Sequence, residues 1–274
     1  METNQYRPRS VSELIDAAIR IVRNNFAGML TLAVAAYLPL VAWFAAMPLF
    51  FQEEDPARIV VMLILVAAAG LWFLVFDAMI VHAAGEAYLG DTASPARSAR
   101  HVLGRVLSVI GASFLRVAVI FLPAVGAGVA AAIVPGPIAA ILIIAAIAVV
   151  MVVFFRLILI PATVVLEDGG SVAGLSRSWA LTEGGLWHIF KAFMLIYLIM
   201  SAIGLVFYGV IMLVLAGNPV AATALGQLGF ALPHPLYSTV TTLLYYDFRI
   251  RKEGYDIELM AQAITSEAPR PART

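Results

Sequence analysis

Three ionisable side chains lie deep inside long apolar stretches of the chain: Asp77, Arg116 and Arg156. Placing a charge at the centre of a membrane-spanning helix costs ~2.5–3.5 kcal/mol or more, so such groups usually have a partner or a function. Each lies 18 residues from the outer end of its apolar stretch, which is about 27 Å along a helix. The equal depth predicts a polar layer in which Asp77 forms a salt bridge with one or both arginines.

Two other interpretations of these residues stay open. The arginines can extend to the lipid headgroups while Asp77 bonds to backbone or water, which needs no pairing. Alternatively, the layer could be a site for a substrate or a lipid phosphate, because intramembrane charges often line transport pathways.

A second candidate is the pair His82 and Glu86, four residues apart on one helix face. Such a pair can contribute to a metal site, but two ligands without a third or fourth are a weak indication. We expect a hydrogen-bonded pair at the membrane interface, with no metal and no cofactor.

Motifs of the common enzyme classes are absent from the sequence. It contains no H-E-x-x-H, no G-x-S-x-G and no P-loop, and without cysteine it has no thiolate chemistry. Equal numbers of basic and acidic side chains, 17 each, give no indication of a nucleic-acid partner. We therefore predict no catalytic residues, and we rank an integral-membrane enzyme third among the possible functions.

The composition predicts an all-α polytopic membrane protein. Hydrophobic residues make up 62% of the 274 and charged residues 12%, whereas soluble domains are about 45–50% apolar and 25% charged. A membrane-spanning helix needs about 20 apolar residues. Six segments qualify, at approximately residues 27–51, 59–85, 109–134, 138–162, 190–216 and 222–246.

Short amphipathic segments that begin at Ser10, Ser94 and Ser171 each precede two of these apolar segments. The pattern predicts three repeats, at approximately residues 10–85, 94–162 and 171–246, each made of an interfacial helix and a transmembrane hairpin. Ser10 with Glu13 fits a capping box, Ser94 is followed by proline, and Ser171 is expected to cap the third helix. Apolar residues on one face and arginine on the other suit helices lying against anionic lipid.

The basic residues predict the orientation. Of the 17 lysines and arginines, all but Arg58 fall on the side of the termini and the amphipathic segments. The positive-inside rule then places both termini in the cytoplasm, and we expect the protein to lie in the inner membrane of a bacterial cell. We expect one membrane domain over residues 1–260, short connections at 52–56 and 135–137, and a disordered cytoplasmic tail over 261–274.

Glycines and prolines mark special positions within the apolar segments. We expect Gly126, Gly128, Gly204 and Gly209 to allow close helix packing. The run Pro233-His234-Pro235 interrupts the sixth segment, and broken helices line sites in some transporters. Because the flanks offer only His234 and Ser238, a packing kink is the preferred interpretation.

Three motifs carry a family resemblance. They are RPRSVSELIDAA from Arg7, VLEDGGSV from Val165 with SRSWALT from Ser176, and LYYDFRIRKEGYDIEL from Leu244. The chain resembles six-span bacterial membrane proteins of the glycerophosphoryl diester phosphodiesterase membrane-domain family. In that family the name comes from members fused to a soluble phosphodiesterase domain, so the resemblance implies the membrane module without the activity.

The sequence thus favours a non-enzymatic accessory, scaffold or assembly partner of other membrane proteins. The alternative from another class is a transporter or channel for a small molecule or lipid that uses the Asp77, Arg116 and Arg156 layer. A water-accessible cavity that reaches this layer would favour transport, and a closed layer would favour the scaffold.

Overall fold

The computed structural model describes residues 7–50, 56–134, 136–167, 169–259 and 261, and its regular structure there is entirely helical. Most of the predicted acidic connection at 52–56, Pro135 of the predicted turn, and the predicted tail apart from Ala261 lie outside the described residues.

Residues 255–259 are helical, and before them twelve helices follow one another along the chain. In order they are α1 (Val11–Asn24), α2 (Phe26–Phe50), α3 (Pro56–Tyr88), α4 (Pro95–Leu103), α5 (Val106–Ala131), α6 (Gly136–Arg156), α7 (Ile160–Leu166), α8 (Ser171–Leu181), α9 (Leu186–Val214), α10 (Pro219–Gly226), α11 (Leu228–Ala231) and α12 (His234–Glu253).

Five helical stretches are long and apolar enough to cross a membrane: Phe26–Phe50, Ala57–Tyr88, Val106–Ala131, Gly136–Leu166 and Leu186–Val214. They coincide within a few residues with the first five predicted segments. The all-helical class and the membrane character are therefore confirmed.

The sixth predicted segment, residues 222–246, differs from the other five because it is not one continuous helix. It divides into α10, α11 and α12, with turns at Gln227 and at Leu232–Pro233. The break falls at the predicted Pro-His-Pro run, because proline lacks the N–H that a helix interior needs.

Helix α12 lies at the centre of the bundle and packs against α1, α3 and α9. From His234 to Phe248 nearly every residue is buried, including four hydroxyl side chains at 238, 239, 241 and 242. Three of them donate to backbone carbonyls one turn earlier: Thr239 to Pro235, Thr241 to Tyr237 and Thr242 to Ser238. These bonds allow a polar sequence to occupy the core.

The three amphipathic segments are the helices α1, α4 and α8, each directly before a long apolar helix. Ser10 forms the predicted capping box with Glu13, and Ser94 accepts from the Arg97 amide. The prediction for Ser171 was wrong, because Gly170 occupies the cap position of α8. Ser171 instead donates to the Ser108 carbonyl of α5, 2.9 Å away, which ties α8 to the preceding hairpin.

Of the four glycines expected to allow close packing, only Gly204 is at a close approach. A Cβ added there would come within 2.4 Å of the Phe230 ring on α11. Gly126, Gly128 and Gly209 have no atom within 4 Å of such a Cβ, so the prediction was wrong for these three.

Candidate functional site

Asp77 of α3 meets two polar residues of α12 in the core of the bundle. Its Oδ1 accepts a 2.6 Å hydrogen bond from Ser238 Oγ and lies 3.2 Å from His234 Nε2. All three residues are buried. We call this set the Asp77 cluster.

The helix break places the α12 residues of the cluster. His234 is the first residue of α12, directly after the turn at Pro233, and Ser238 follows one turn later. Residues four apart share a helix face, so both side chains point to the same side, where α3 packs.

Aromatic rings surround the imidazole of His234. The ring centroids of Phe73, Tyr37 and Tyr237 lie 5.0, 5.7 and 6.1 Å from it. This wall excludes water from one side of the cluster, which strengthens the electrostatic interactions within it.

Neither predicted arginine forms an ion pair with Asp77 among the described residues. The guanidinium of Arg116 lies over the Phe154 ring, 5.5 Å from its centroid. Arg156 lies over Trp179 of α8, 5.0 Å from the ring centroid, and donates to the Trp179 carbonyl. The predicted direct salt bridge is corrected accordingly: Asp77 accepts a hydrogen bond from Ser238 of α12, and both guanidinium groups lie over aromatic rings.

A small cavity nevertheless connects Asp77 with Arg116. Its volume is about 30 Å³, and Ser113 and Pro161 are among its other lining residues. Such a space holds about one water molecule. The structure therefore brings Asp77 and Arg116 to one cavity, whereas Arg156 is not among the residues that line it.

The order of groups in the Asp77 cluster limits its chemistry. In a serine-hydrolase triad, the imidazole lies between the hydroxyl and the carboxylate and removes the hydroxyl proton. Here the carboxylate lies between Ser238 and His234, and Ser238 donates a hydrogen bond to Asp77. The arrangement fixes α12 against α3, and its order of groups differs from that of the triad.

His82 and Glu86 lie on one face of α3 as predicted, but they do not bond to each other. The distance from His82 Nδ1 to Glu86 Oε2 is 3.8 Å, which is too long for a hydrogen bond. Both residues contact α4 instead: His82 Nδ1 lies 3.2 Å from Ser98 Oγ, and Glu86 Oε1 accepts from Arg97 at 2.9 Å. The pair thus holds α4 on the end of α3.

Most of the ion pairs that the structure shows lie at one end of the bundle, around Glu167, Arg177 and Glu253. We call this end the polar end. There Arg177 of α8 donates from Nε to both oxygens of Glu167 at 2.9 Å and from Nη2 to Glu253 at 2.7 Å. Arg249 also donates to Glu253, at 3.1 Å. Residues from the second and third sequence motifs therefore form one network. It connects three parts of the chain: the segment that follows α7, the helix α8, and the helix α12.

Asp247, in the same stretch of α12, attaches the N-terminal residues to the polar end. Its buried carboxylate accepts from the Arg9 amide and from Arg251 Nε, both at 2.7 Å. Arg251 also donates to the Arg9 carbonyl at 2.8 Å. The chain just before α1 is therefore held on α12 from both sides.

Sequence reasoning did not identify His234 and Ser238 as partners of Asp77. Both had been recognised as the polar residues beside the predicted helix break. A chemical argument could have identified them. A buried carboxylate such as Asp77 needs hydrogen-bond donors, and the apolar segments contain few polar residues that could supply them.

Among the described residues, no group of three or more histidine, aspartate or glutamate side chains could hold a metal ion. No curated protein and no solved structure matches the chain. A family described as "Domain of unknown function (DUF7847)" matches residues 10–248, which is most of the length of this chain. The chain therefore belongs to this family.

Proposed function

We propose that this protein is a non-enzymatic scaffold or assembly partner for other proteins of the bacterial inner membrane. The observation that carries the proposal is the small volume of the cavity that touches Asp77 and Arg116. About 30 Å³ admits one water, while ligand pockets are typically about 300–1,000 Å³. A polar layer closed to this extent suits a structural role.

A second observation supports contact with other helices. Helix α6 has one buried residue, Val153, along its described length. A groove of about 340 Å³ between α5 and α6 is lined by small and apolar residues, among them Ala124, Gly128 and Ala146. Small residues allow helices in membranes to approach closely, so the α5–α6 hairpin is the proposed partner surface.

The topology in this proposal has six spans. Helices α10 to α12 return the chain across the membrane, both termini are cytoplasmic, and α1, α4 and α8 lie against anionic lipid at the polar end. Each of these helices precedes an apolar hairpin, which supports a threefold repeat. The resemblance to the phosphodiesterase membrane-domain family fits the same picture, in which the module acts without the enzyme.

One observation favours the alternative of a transporter. The broken segment α10–α12 supplies His234 to the Asp77 cluster, and discontinuous helices coordinate ions or substrates in several transporter folds. A transporter must open its site to water at some stage, whereas a scaffold need not.

Cysteine accessibility tests the two functions, because the natural chain has no cysteine. Ser113→Cys places a thiol at the cavity beside Asp77, and Ser12→Cys places one on the exposed face of α1. With a charged thiol reagent on each side of the membrane, we expect Ser113→Cys to react at least ~100-fold more slowly than Ser12→Cys. Fast reaction from either side contradicts the closed layer and favours the transporter.

Photocrosslinking tests the partner surface. A photoreactive residue at Ile144 of α6 or Leu122 of α5, both exposed, should give discrete protein adducts in native membranes. The same residue at Leu213 of α9, equally exposed, is the matched control. Lipid adducts alone at all three positions contradict the scaffold function.

A further inference from the structure

A separate cavity of about 200 Å³ lies at the polar end, between α3, α4, α7 and α12. Unlike the groove between α5 and α6, it has ionisable side chains in its wall, and these are His82, Glu86, Asp91, His101, Tyr245, Tyr246, Arg249 and Tyr255. A polar wall of this kind suits a polar ligand. The scaffold function does not require this cavity.

One carboxylate oxygen in this wall has no donor among the described residues. Glu86 Oε1 accepts from Arg97, but Glu86 Oε2 is buried and makes no hydrogen bond. His82 Nδ1 lies 3.8 Å from this oxygen, too far for a hydrogen bond. A buried charged oxygen without a donor is costly, so the cavity favours a ligand that donates hydrogen bonds.

The charges around the cavity favour a cation at this oxygen. Arg249, the one arginine in the wall, is already engaged: it donates to Glu253 and lies 3.8 Å from the centroid of the Tyr255 ring. Asp91 adds a second carboxylate to the wall, and its Oδ2 lies 3.9 Å from Nη1 of Arg97, the arginine that donates to Glu86 Oε1. An ammonium group offers three donors and a positive charge, which together match Glu86 Oε2.

The position of the cavity indicates where such a group comes from. Glu86 lies two residues before the end of α3, where the apolar span ends, and lipid headgroups occupy this level. The exposed Leu89 and the partly buried Leu166 also line the cavity, so an apolar edge borders the polar wall. We propose that this cavity binds the primary ammonium group of an aminophospholipid headgroup, with Glu86 as its acceptor.

Lipid exchange followed by native mass spectrometry of the full-length protein tests this site. The probes are phosphatidylethanolamine, phosphatidylcholine and phosphatidylglycerol with identical acyl chains. Only the first has N–H donors on its nitrogen, so we expect it to be retained roughly tenfold more than the other two. Free ethanolamine serves as a competitor, to distinguish a lipid headgroup from a soluble amine with the same chemistry.

Two variants and one control make the test specific. Glu86→Gln removes the charge of the proposed acceptor. Leu89→Trp fills the cavity and keeps the carboxylate, so this variant still tests the proposal if Glu86→Gln does not fold. Glu183→Gln removes a charge from an exposed position after α8 and should behave as the wild type. We expect the preference for phosphatidylethanolamine to disappear in both cavity variants.

Each outcome has a definite consequence. If millimolar ethanolamine displaces the lipid from the wild type, the ammonium site is supported and its ligand is a soluble amine. Equal retention of the three lipids overturns the proposal, since water alone then satisfies Glu86. A preference that survives Glu86→Gln and Leu89→Trp overturns it as well.

Discussion

Ser238 Oγ lies 2.6 Å from Asp77 Oδ1, although 161 positions separate the two residues in the sequence. The contact joins α3, in the first predicted repeat, to α12, in the last. With His234 beside the same oxygen, this is the main polar connection that the structure shows in the buried core between these two helices. Because both partners are buried, loss of either leaves a polar group that water cannot reach easily.

Ser238→Ala should lower the free energy of unfolding by about 1.5–3 kcal/mol, the range for a hydrogen bond to a charged group. Unfolding in mixed micelles measures the change. Ser113→Ala is the matched control, because Ser113 donates only to the Val109 carbonyl of its own helix. Equal losses in the two variants would show that the bond to Asp77 has no special weight.

A double-mutant cycle isolates the contact itself. Asp77→Ala should destabilise the protein by about 3–5 kcal/mol, because it leaves the buried Ser238 hydroxyl without its acceptor and removes the carboxylate beside His234. Adding Ser238→Ala to this variant should then cost little, which gives a coupling energy of about 1–3 kcal/mol. Strictly additive losses would contradict the geometry.

Gly204→Ala and Gly209→Ala form a second matched pair on α9. The new methyl at position 204 would come within 2.4 Å of Phe230, whereas position 209 is open. We expect Gly204→Ala to destabilise by about 1–3 kcal/mol through overpacking. Gly209→Ala should be neutral or stabilise by up to about 1 kcal/mol, because alanine is the better helix former. The same micelle unfolding assay compares them, and equal effects would rule out the close approach.

The apolar segments and amphipathic helices could be predicted from the sequence because each is encoded locally. A run of about 20 apolar residues, or an apolar face at helical spacing, needs no knowledge of the rest of the chain. The capping box at Ser10 is local in the same sense, since its bonds lie within four residues. The positions of the first five apolar segments were accordingly correct within a few residues.

The partners of Asp77 could not be predicted in the same way. Equal depth along three helices says nothing about which faces point toward each other, and Arg156 contacts Trp179 of α8 instead. The burial of α12 was also missed, because Ser and Thr at four of its positions make it less apolar than the other spans. Its hydroxyls bond to its own backbone, which makes it suitable for the centre.

Acid should weaken the polar end through Glu253. Its hydrogen bonds with Arg177 hold the pKa of this carboxyl group below its usual value. A carboxylate with a lower pKa in the folded state stabilises the protein above the unfolded pKa, about 4.3. That contribution is lost as the pH falls from there through the folded pKa.

We therefore expect the temperature at the midpoint of unfolding to decrease once the pH is lowered below about 5. The decrease should be smaller in Glu253→Gln than in the wild type. The difference in free energy should be about 1 kcal/mol, because the group is partly exposed. Glu183→Gln, which is exposed, is the control for charge alone. Parallel pH profiles for wild type and Glu253→Gln would contradict this role of the network.

The number of spans can be decided with single cysteines in the cysteine-free chain. Ser12 and Ser176 lie on the exposed faces of α1 and α8, and Gly217 lies in the exposed turn after α9. If α10 to α12 complete a sixth span, Thr274→Cys must react on the same side as Ser12→Cys and Ser176→Cys. Gly217→Cys must react on the opposite side, because the 29 residues of α9 extend about 44 Å.

With an impermeant thiol reagent applied to intact cells, we expect labelling of Gly217→Cys alone. The other three variants should react only after the membrane is opened, since the positive-inside rule places the arginine-rich end in the cytoplasm. Labelling of Thr274→Cys from outside would mean five spans, with the segment after α9 remaining on one side. Labelling of Ser12→Cys and Ser176→Cys from outside would reverse the whole orientation, and the anionic-lipid contact proposed for α1, α4 and α8 would then be wrong.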